Sequence, residues 1–343
     1  MHCLFIAERS CLSASSPTKG EWAIQLHDEQ RLSNKQIAAA FGMKASSVRR
    51  LISEARPALQ SAGGEVPERP PEGSSLPTTS YGRQGATGGV PPPLSSTTPV
   101  THILIPDTQC KPGVPLIHLR WAGLYIKERQ PDVVILIGDH WDMESLSEYD
   151  RGKKSFEGRR YKADIEAGNH GLDLLMEGIN QCKKKPRLVF TMGNHEQRIG
   201  RALELEPRLE GVLGYHDFNL EQHGWEVYDF LKPVEVDSIT YSHYFYNQMS
   251  GRPYSGTIEN IIKNVGHSFS QGHQQGLRWG RRELGNGAVQ IGLIAGSFYQ
   301  HDEIYKGPQG NHHWRGIVVK HEVHDGSYDP MMVSLGFLKR RFG

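Results

Sequence analysis

Residues 132–142, DVVILIGDHWD, carry the strongest indication of the fold in this chain. Residues 133–137 are all apolar, and such a continuous run predicts a strand that is buried on both faces. The run stops at Gly138, and the carboxylates of Asp139 and Asp142 follow closely. Because open α/β sheets place their sites beyond the carboxyl ends of the strands, this stretch predicts a largely parallel sheet with a polar site at one edge.

The sequence on both sides alternates between predicted strands and helices. Residues 102–106 and 187–191 predict two more buried strands, while residues 116–129 and 163–182 predict helices between them. Strand–helix alternation is typical of a partly parallel sheet with helices on its faces. The later half of the chain is richer in predicted strands, at residues 239–242, 267–270, 289–295 and 317–323.

A composition change divides the chain into domains. Residues 57–99 are rich in Pro, Gly, Ser and Thr and lack apolar periodicity, so they predict a flexible linker. The linker separates a small helical module at residues 20–56 from an α/β domain at residues 100–343, and residues 1–19 are predicted to be disordered. A length of 343 residues, at about 150 residues per domain, predicts about two domains.

The composition excludes several classes of protein. The net charge is +1, and no apolar run approaches the roughly 18 residues of a membrane span. The N-terminus lacks the basic region of a signal peptide. The four cysteines form no Cys-x-x-Cys pair, which predicts free thiols rather than disulfides or a zinc knuckle. We therefore expect a globular cytoplasmic protein that does not associate with membranes.

The N-terminal module predicts three short helices, of which the last two are separated by a turn at Gly42. Ile37 and Ala38 before the turn, and Val48 and Ile52 after it, have the spacing of a helix-turn-helix. The segment resembles the modules fused to transposases, resolvases and phage regulators. This resemblance implies DNA contacts through the exposed side chains around the third helix, namely Lys44, Ser46, Ser47, Arg49, Arg50 and Arg56. The alternative is a helical interaction module whose basic residues only solvate its surface.

Polar motifs follow five of the predicted strands. Their carboxylate, amide and imidazole groups are the side chains that ligate divalent metals, and five strand ends can enclose two ions. The glycines in these motifs allow the sharp turns that point the next side chain into a cleft. The motifs lie at residues 107–109, 138–142, 193–196, 242–243 and 272–275.

In this order the motifs resemble those of the calcineurin-like metallophosphoesterase family. The family pattern is Asp-x-His, Gly-Asp-x-x-Asp, Gly-Asn-His-Asp/Glu, a lone His, and Gly-His-x-His. The resemblance covers about residues 100–302. The sequence around the motifs is most similar to phage- and prophage-encoded members of the family. It implies an α/β sandwich of two mixed sheets flanked by helices, which in this chain carries a small all-α helix-turn-helix domain at its N-terminus.

The resemblance also implies which residues hold metals. Asp139 would bridge two divalent ions, Asn194, His243 and His273 would complete one site, and Asp107 would belong to the other. The metal pair would generate the hydroxide that attacks phosphorus in line. The catalytic residues would be His195, which stabilises charge or protonates the leaving oxygen, and Asp142, which orients His195.

Two positions depart from the family pattern. Gln109 replaces the histidine of Asp-x-His, and Gln275 replaces the second histidine of Gly-His-x-His. Both replaced histidines belong to the metal site of Asp107. One interpretation is that this site has lost its metal and the protein its activity. The other is a retuned site with the oxygen ligands Asp107, Gln109, Asp139 and Gln275. The matched substitutions, with both aspartates retained, favour retuning. Oxygen donors favour Mn²⁺, with Mg²⁺ as the other candidate, over zinc or iron.

The sequence therefore predicts a metal-dependent phosphoesterase. A tethered helix-turn-helix would raise its local concentration on DNA, which favours phosphodiester bonds of nucleic acid as substrate and hence a nuclease. The compartment would be the host cytoplasm if a phage encodes the chain. The alternatives are a phosphomonoesterase acting on a nucleotide or phosphoprotein, and a DNA-binding regulator with a degenerate phosphoesterase domain, because one fold can host all of these functions.

Overall fold

The structure, a computed structural model, describes residues 23–24, 34–41, 43–61, 100–303 and 306–343. The chain divides into two compact units, Met1–Ser80 and Tyr81–Gly343. The predicted disordered start at residues 1–19, most of the predicted first helix and residues 62–99 of the predicted linker lie outside the described residues.

The first unit contains two described helices, α1 (Asn34–Phe41) and α2 (Ala45–Ser61). Ile37, Ala38 and Val48 are buried together with Ala23, so the apolar positions identified in the sequence do form a small core. Helix α2 continues five residues past Arg56, where we placed the start of the linker. The composition change at Pro57 therefore falls inside the helix, because the alanine, leucine and glutamine that follow this proline are strong helix formers.

The second unit contains a six-stranded mixed sheet. Strands β1 to β4 pair in parallel, and two antiparallel strands from the end of the chain extend the sheet beyond β1. In spatial order the strands are β13 (Ser327–Ser334), β12 (Gly316–His324), β1 (Val100–Ile105), β2 (Val133–Leu136), β3 (Arg187–Thr191) and β4 (Glu226–Tyr228).

A five-stranded mixed sheet packs against the first. Its three central strands are parallel and its two edge strands are antiparallel. In spatial order they are β10 (Leu277–Glu283), β11 (Val289–Ala295), β9 (Phe269–Gln271), β6 (Ile239–Tyr241) and β5 (Val234–Val236). A small hairpin, β7 (Tyr246–Asn247) and β8 (Arg252–Pro253), follows β6.

Helices cover the outer faces of the two sheets. The described helices of this unit are α3 (Ile117–Arg129), α4 (Tyr161–Ile179), α5 (Gln197–Leu205), α6 (Leu220–His223), α7 (Ile258–Val265), α8 (Gly307–Gly310) and α9 (Leu335–Phe342). Among these residues, no helix combines the length and apolar character required to cross a bilayer.

The two faces of each strand bury side chains in different layers. In β1, Ile103 and Ile105 join the core formed with α3 and α4, while Leu104 between them joins the core between the sheets. This alternation follows from the two-residue period of a strand. On the other sheet, Phe269 packs against Ile262 of α7. The architecture is thus two mixed sheets flanked by helices, which agrees with the arrangement that the resemblance implied.

Several elements had no clear signal in the sequence. Strand β10 reads LRWGRRE, and its charges fit a strand that lies at the edge of its sheet with most side chains exposed. Strands β4 and β5 have three residues each, too few for a periodic pattern to emerge. Tertiary pairing, rather than local sequence, determines these strands.

Candidate metal centre

Five loops at the carboxyl ends of parallel strands deliver the predicted ligands. Asp107 follows β1, Asp139 follows β2, Asn194 follows β3, His243 follows β6 and His273 follows β9. The first three strands belong to the six-stranded sheet and the last two to the five-stranded sheet. The two sheets therefore contribute jointly to the residues gathered there.

Four of these residues converge closely. The Asn194 Oδ1 atom lies 3.0 Å from Nε2 of His243 and 2.8 Å from Nδ1 of His273. The Oδ2 atom of Asp139 lies 3.2 Å from the same His243 nitrogen. Asp139, His243 and His273 offer ligand atoms that all lie within 4.8 Å of one another, close enough to hold one metal ion. The structure thus brings together the nitrogen- and oxygen-donor set predicted for one ion.

The protonation of this cluster reflects its burial and charge. Burial lowers the pKa of His273 to about 4, so its ring is neutral and has a lone pair available for a metal. Burial opposes protonation of His243, but Asp139 raises its pKa to about 9. The Nδ1 atom of His243 donates to the carbonyl oxygen of Ile137 at 2.9 Å, which directs Nε2 towards Asp139.

Two oxygen atoms predicted to bind the second ion are hydrogen-bond acceptors that lack a hydrogen-bond donor. Among the described residues, the Oδ2 atom of Asp107 and the Oε1 atom of Gln109 are buried and lack a hydrogen-bond partner. A buried, unsatisfied acceptor costs about 1–3 kcal/mol. Burial also raises the pKa of Asp107 to about 7. Buried oxygens without donors are the kind of group that a divalent cation satisfies, so the chemistry of these two residues fits the second predicted ion.

Backbone strain occurs at four of the predicted ligands, as it does at several loop residues elsewhere. Gln109, Asp139, His273 and Gln275 have φ angles of 40°, 51°, 64° and 55°, which L-residues other than glycine rarely adopt. Such strain persists only where the surrounding structure enforces it, and it is typical of functional sites. Four of the seven predicted metal ligands therefore have backbone conformations that packing alone does not favour.

Two glycines allow the loops after β2 and β3 to touch. Gly138 has a φ of +89°, and a Cβ atom there would lie 2.6 Å from the backbone nitrogen of Gly193. A Cβ atom on Gly193 would lie 2.1 Å from Oδ1 of Asp139. Larger residues at either position would push Asp139 away from the other ligands.

Glu196 has a structural role that the sequence did not reveal. Its buried carboxylate accepts backbone hydrogen bonds from Asp139 at 3.0 Å, His140 at 2.7 Å, Trp141 at 3.1 Å and Gly193 at 2.7 Å. It thereby fixes the loop that carries Asp139. The available signal was its place in Gly-Asn-His-Glu, but that motif says nothing about which backbone groups lack partners.

His195 lies beside the cluster and is not part of it. Its Nδ1 atom is 2.8 Å from a carboxylate oxygen of Asp142, and its Nε2 atom is 3.7 Å from Oδ2 of Asp139. Burial opposes protonation of His195, but Asp139 and Asp142 raise its pKa above the ordinary value. Arg198 approaches Nε2 at 3.3 Å and donates to the carbonyl oxygens of Asp142 and Met143. Asp142 thus contacts the ring nitrogen that faces away from Asp139.

A second acidic group already contains a cation. Asp142, Glu144 and Glu303 could hold a metal ion by distance alone. The Nζ atom of Lys111 lies 3.3, 3.1 and 2.8 Å from their respective carboxylates. The ammonium group contacts all three carboxylates, and the guanidinium groups of Arg159 and Arg198 also approach this cluster, so we do not regard it as a metal site.

The residues predicted to contact DNA belong to the first unit, Met1–Ser80. Lys44, Ser46, Ser47, Arg49 and Arg50 are exposed on or just before α2. The Nε atom of Arg50 lies 2.6 Å from a carboxylate oxygen of Glu54, one helical turn along. The side chain of Arg56 lies outside the described residues. The exposed basic residues thus remain accessible on this helix.

Comparisons with known proteins do not identify a family. No protein-family model matches the chain, and no curated protein matches it. One crystal structure is 15% identical, with a TM-score of 0.33, and the alignment covers 69% of this chain and 100% of the other. That similarity is too distant to carry an argument about function.

Proposed function

We propose that residues 100–343 form a calcineurin-like metallophosphoesterase that hydrolyses phosphodiester bonds of nucleic acid with two divalent ions. The observation that carries this proposal is the convergence of Asp139, Asn194, His243 and His273 beside two buried, unpartnered oxygens. Random loop residues would be expected to satisfy one another or to face solvent.

The donor atoms suit two different ions. One set contains two imidazoles, an amide oxygen and a carboxylate. The other, Asp107, Gln109, Asp139 and Gln275, contains only oxygen, which favours Mn²⁺ or Mg²⁺. Bound ions would supply Lewis acidity towards the phosphoryl group and lower the pKa of water.

His195 and its neighbours would assist departure of the leaving group. Asp142 holds one ring nitrogen at 2.8 Å, so the other nitrogen has a defined direction. A protonated His195 can donate to the leaving oxygen, and the neighbouring carboxylates of Asp139 and Asp142 raise its pKa. The guanidinium of Arg198, 3.3 Å from Nε2, adds positive charge where a phosphate would develop negative charge.

A metal titration combined with a substrate comparison tests the proposal. The full chain saturated with Mn²⁺ should approach two ions per chain and hydrolyse bis-p-nitrophenyl phosphate faster than p-nitrophenyl phosphate, and chelation should abolish turnover. Gln109→His should shift the preference towards Zn²⁺, because imidazole is a softer donor than an amide oxygen. Faster monoester hydrolysis would favour the phosphomonoesterase alternative. One bound ion without turnover would favour the degenerate regulator.

Targeting to DNA is the second part of the proposal. The exposed Arg49 and Arg50 suit phosphate or base-edge contacts. Replacing both by alanine should weaken DNA binding by about 1–3 kcal/mol, and parent affinity should fall steeply with salt. Fluorescence anisotropy with labelled duplex at several salt concentrations measures both effects.

The matched control removes two exposed basic residues, Lys339 and Arg340, from helix α9 of the other unit. This change should leave DNA binding nearly constant if α2 makes the contacts. Neither pair of substitutions should alter hydrolysis of the small diester. Unchanged DNA affinity after Arg49→Ala and Arg50→Ala would instead support a helical interaction module.

A further inference from the structure

A glutamine that serves as a metal ligand has an ambiguity that histidine does not have. Its Oε1 atom can bind a cation, whereas its Nε2 atom is only a donor of hydrogen bonds. Rotating the terminal amide by half a turn exchanges the two atoms at little cost in shape. Gln275 occupies such a ligand position, so its affinity for a metal depends on what holds the amide in one orientation.

Tyr299 contacts that amide directly. Its hydroxyl lies 2.9 Å from Oε1 of Gln275, and its side chain is fully buried. The preceding residue, Phe298, donates its backbone N–H to the carbonyl oxygen of Asp107 at 2.8 Å. The loop that carries Tyr299 is therefore attached to the backbone of another predicted ligand of the same ion.

The surrounding hydrogen bonds determine which way the Tyr299 proton points. Nδ1 of His313 donates to the carbonyl oxygen of Gly310 at 3.0 Å, so Nε2 of the neutral ring is an acceptor. The hydroxyl of Ser297, at 2.8 Å, is the nearer donor to this nitrogen, since Tyr299 is 3.3 Å away. Burial lowers the pKa of His313, in agreement with a neutral ring.

Lys306 also contacts the hydroxyl of Tyr299. Its Nζ atom lies 2.8 Å from the phenolic oxygen, and an ammonium group can only donate. The oxygen of Tyr299 thus accepts from Lys306, and its proton is directed to Oε1 of Gln275. An amide rotated by half a turn would present Nε2, a donor, to Tyr299 and would lose the hydrogen bond from the phenolic proton to Oε1.

We propose that Tyr299 is a positioning residue that fixes the amide of Gln275 so that its carbonyl oxygen is available to the metal of the oxygen-donor set. The inference rests on the proposed function, because it assumes that Gln275 ligates an ion. A carbonyl oxygen has two lone pairs, so one can accept from Tyr299 while the other remains for the cation. Tyr299 thereby compensates for the replacement of an imidazole by an amide at position 275.

Calorimetric titration of the metal-free full chain with Mn²⁺ tests this role. Tyr299→Phe should weaken one of the two Mn²⁺ affinities by about tenfold or more, the usual effect of losing a group that orients a metal ligand, and should change the other less than about threefold. Tyr125→Phe, at a buried tyrosine of α3, is the matched control and should change neither affinity. Melting of the metal-free proteins verifies that the variants fold.

The deciding measurement repeats Tyr299→Phe in the Gln275→Glu background. A carboxylate offers an oxygen in either orientation, so the substitution should there cost less than about threefold. Equal losses in both backgrounds, or no loss in the parent, would overturn the proposal. If the expected binding pattern is found without hydrolysis of any phosphoester, the role of Tyr299 stands and the proposed function fails. Absence of Mn²⁺ binding by the parent would overturn both.

Discussion

Asp139→Asn should remove metal and activity together. One carboxylate oxygen of Asp139 lies 3.2 Å from Nε2 of His243, and the other accepts the backbone N–H of His195 at 3.0 Å. Asp139 is also the residue assigned to both ions, so loss of its charge weakens both sites. We expect a fall in kcat/KM of about 10³-fold or more, because metal ions contribute several kcal/mol and each 1.4 kcal/mol is about tenfold in rate.

Metal content after Mn²⁺ saturation and gel filtration should be measured on the same samples as turnover. Asp217→Asn provides a matched control, since Asp217 makes hydrogen bonds with Tyr161 and Gly214 away from the ligand cluster. That control should retain both ions. Retention of two ions and of activity by Asp139→Asn would contradict the bridging assignment.

His195→Ala should separate chemistry from metal binding. The ring nitrogens of His195 face Asp142 and Arg198, and Asn194, His243 and His273 converge without it. We therefore expect turnover to fall by about 10²-fold or more with near-normal metal content, the usual effect of losing a general acid. A site emptied by His195→Ala would show that this residue is a ligand instead.

The leaving group provides a second measurement of the role of His195. A nitrophenolate leaves without a proton more readily than the alkoxide of a dinucleotide. The loss on His195→Ala should therefore be larger for a dinucleotide than for bis-p-nitrophenyl phosphate. Asp142→Asn should also reduce turnover more for the dinucleotide than for bis-p-nitrophenyl phosphate, because it removes the carboxylate that orients the ring. Equal losses for both substrates would argue against proton donation.

Much of the ligand convergence could be predicted from local sequence. The apolar run at residues 133–137 indicates a buried strand, and Asp139 follows its end. Parallel strands present their carboxyl ends at one edge, so motifs after successive strands of one sheet must meet there. For His243 and His273 this argument is incomplete, because their strands belong to the other sheet and only the packing of the sheets brings them to Asn194.

Residue types and short spacings are enough to predict the alternation of strands and helices, the order of the polar motifs and the two glutamines among the candidate ligands. Three contacts depend on the fold: Glu196 fixes the Asp139 loop, Lys111 pairs with an acidic cluster, and Tyr299 donates to Gln275. Lys111 and Glu303 are 192 residues apart, and no local pattern encodes such a contact. The physical reason is that a hydrogen bond requires a donor and an acceptor about 3 Å apart, and only the packing of distant segments sets that distance.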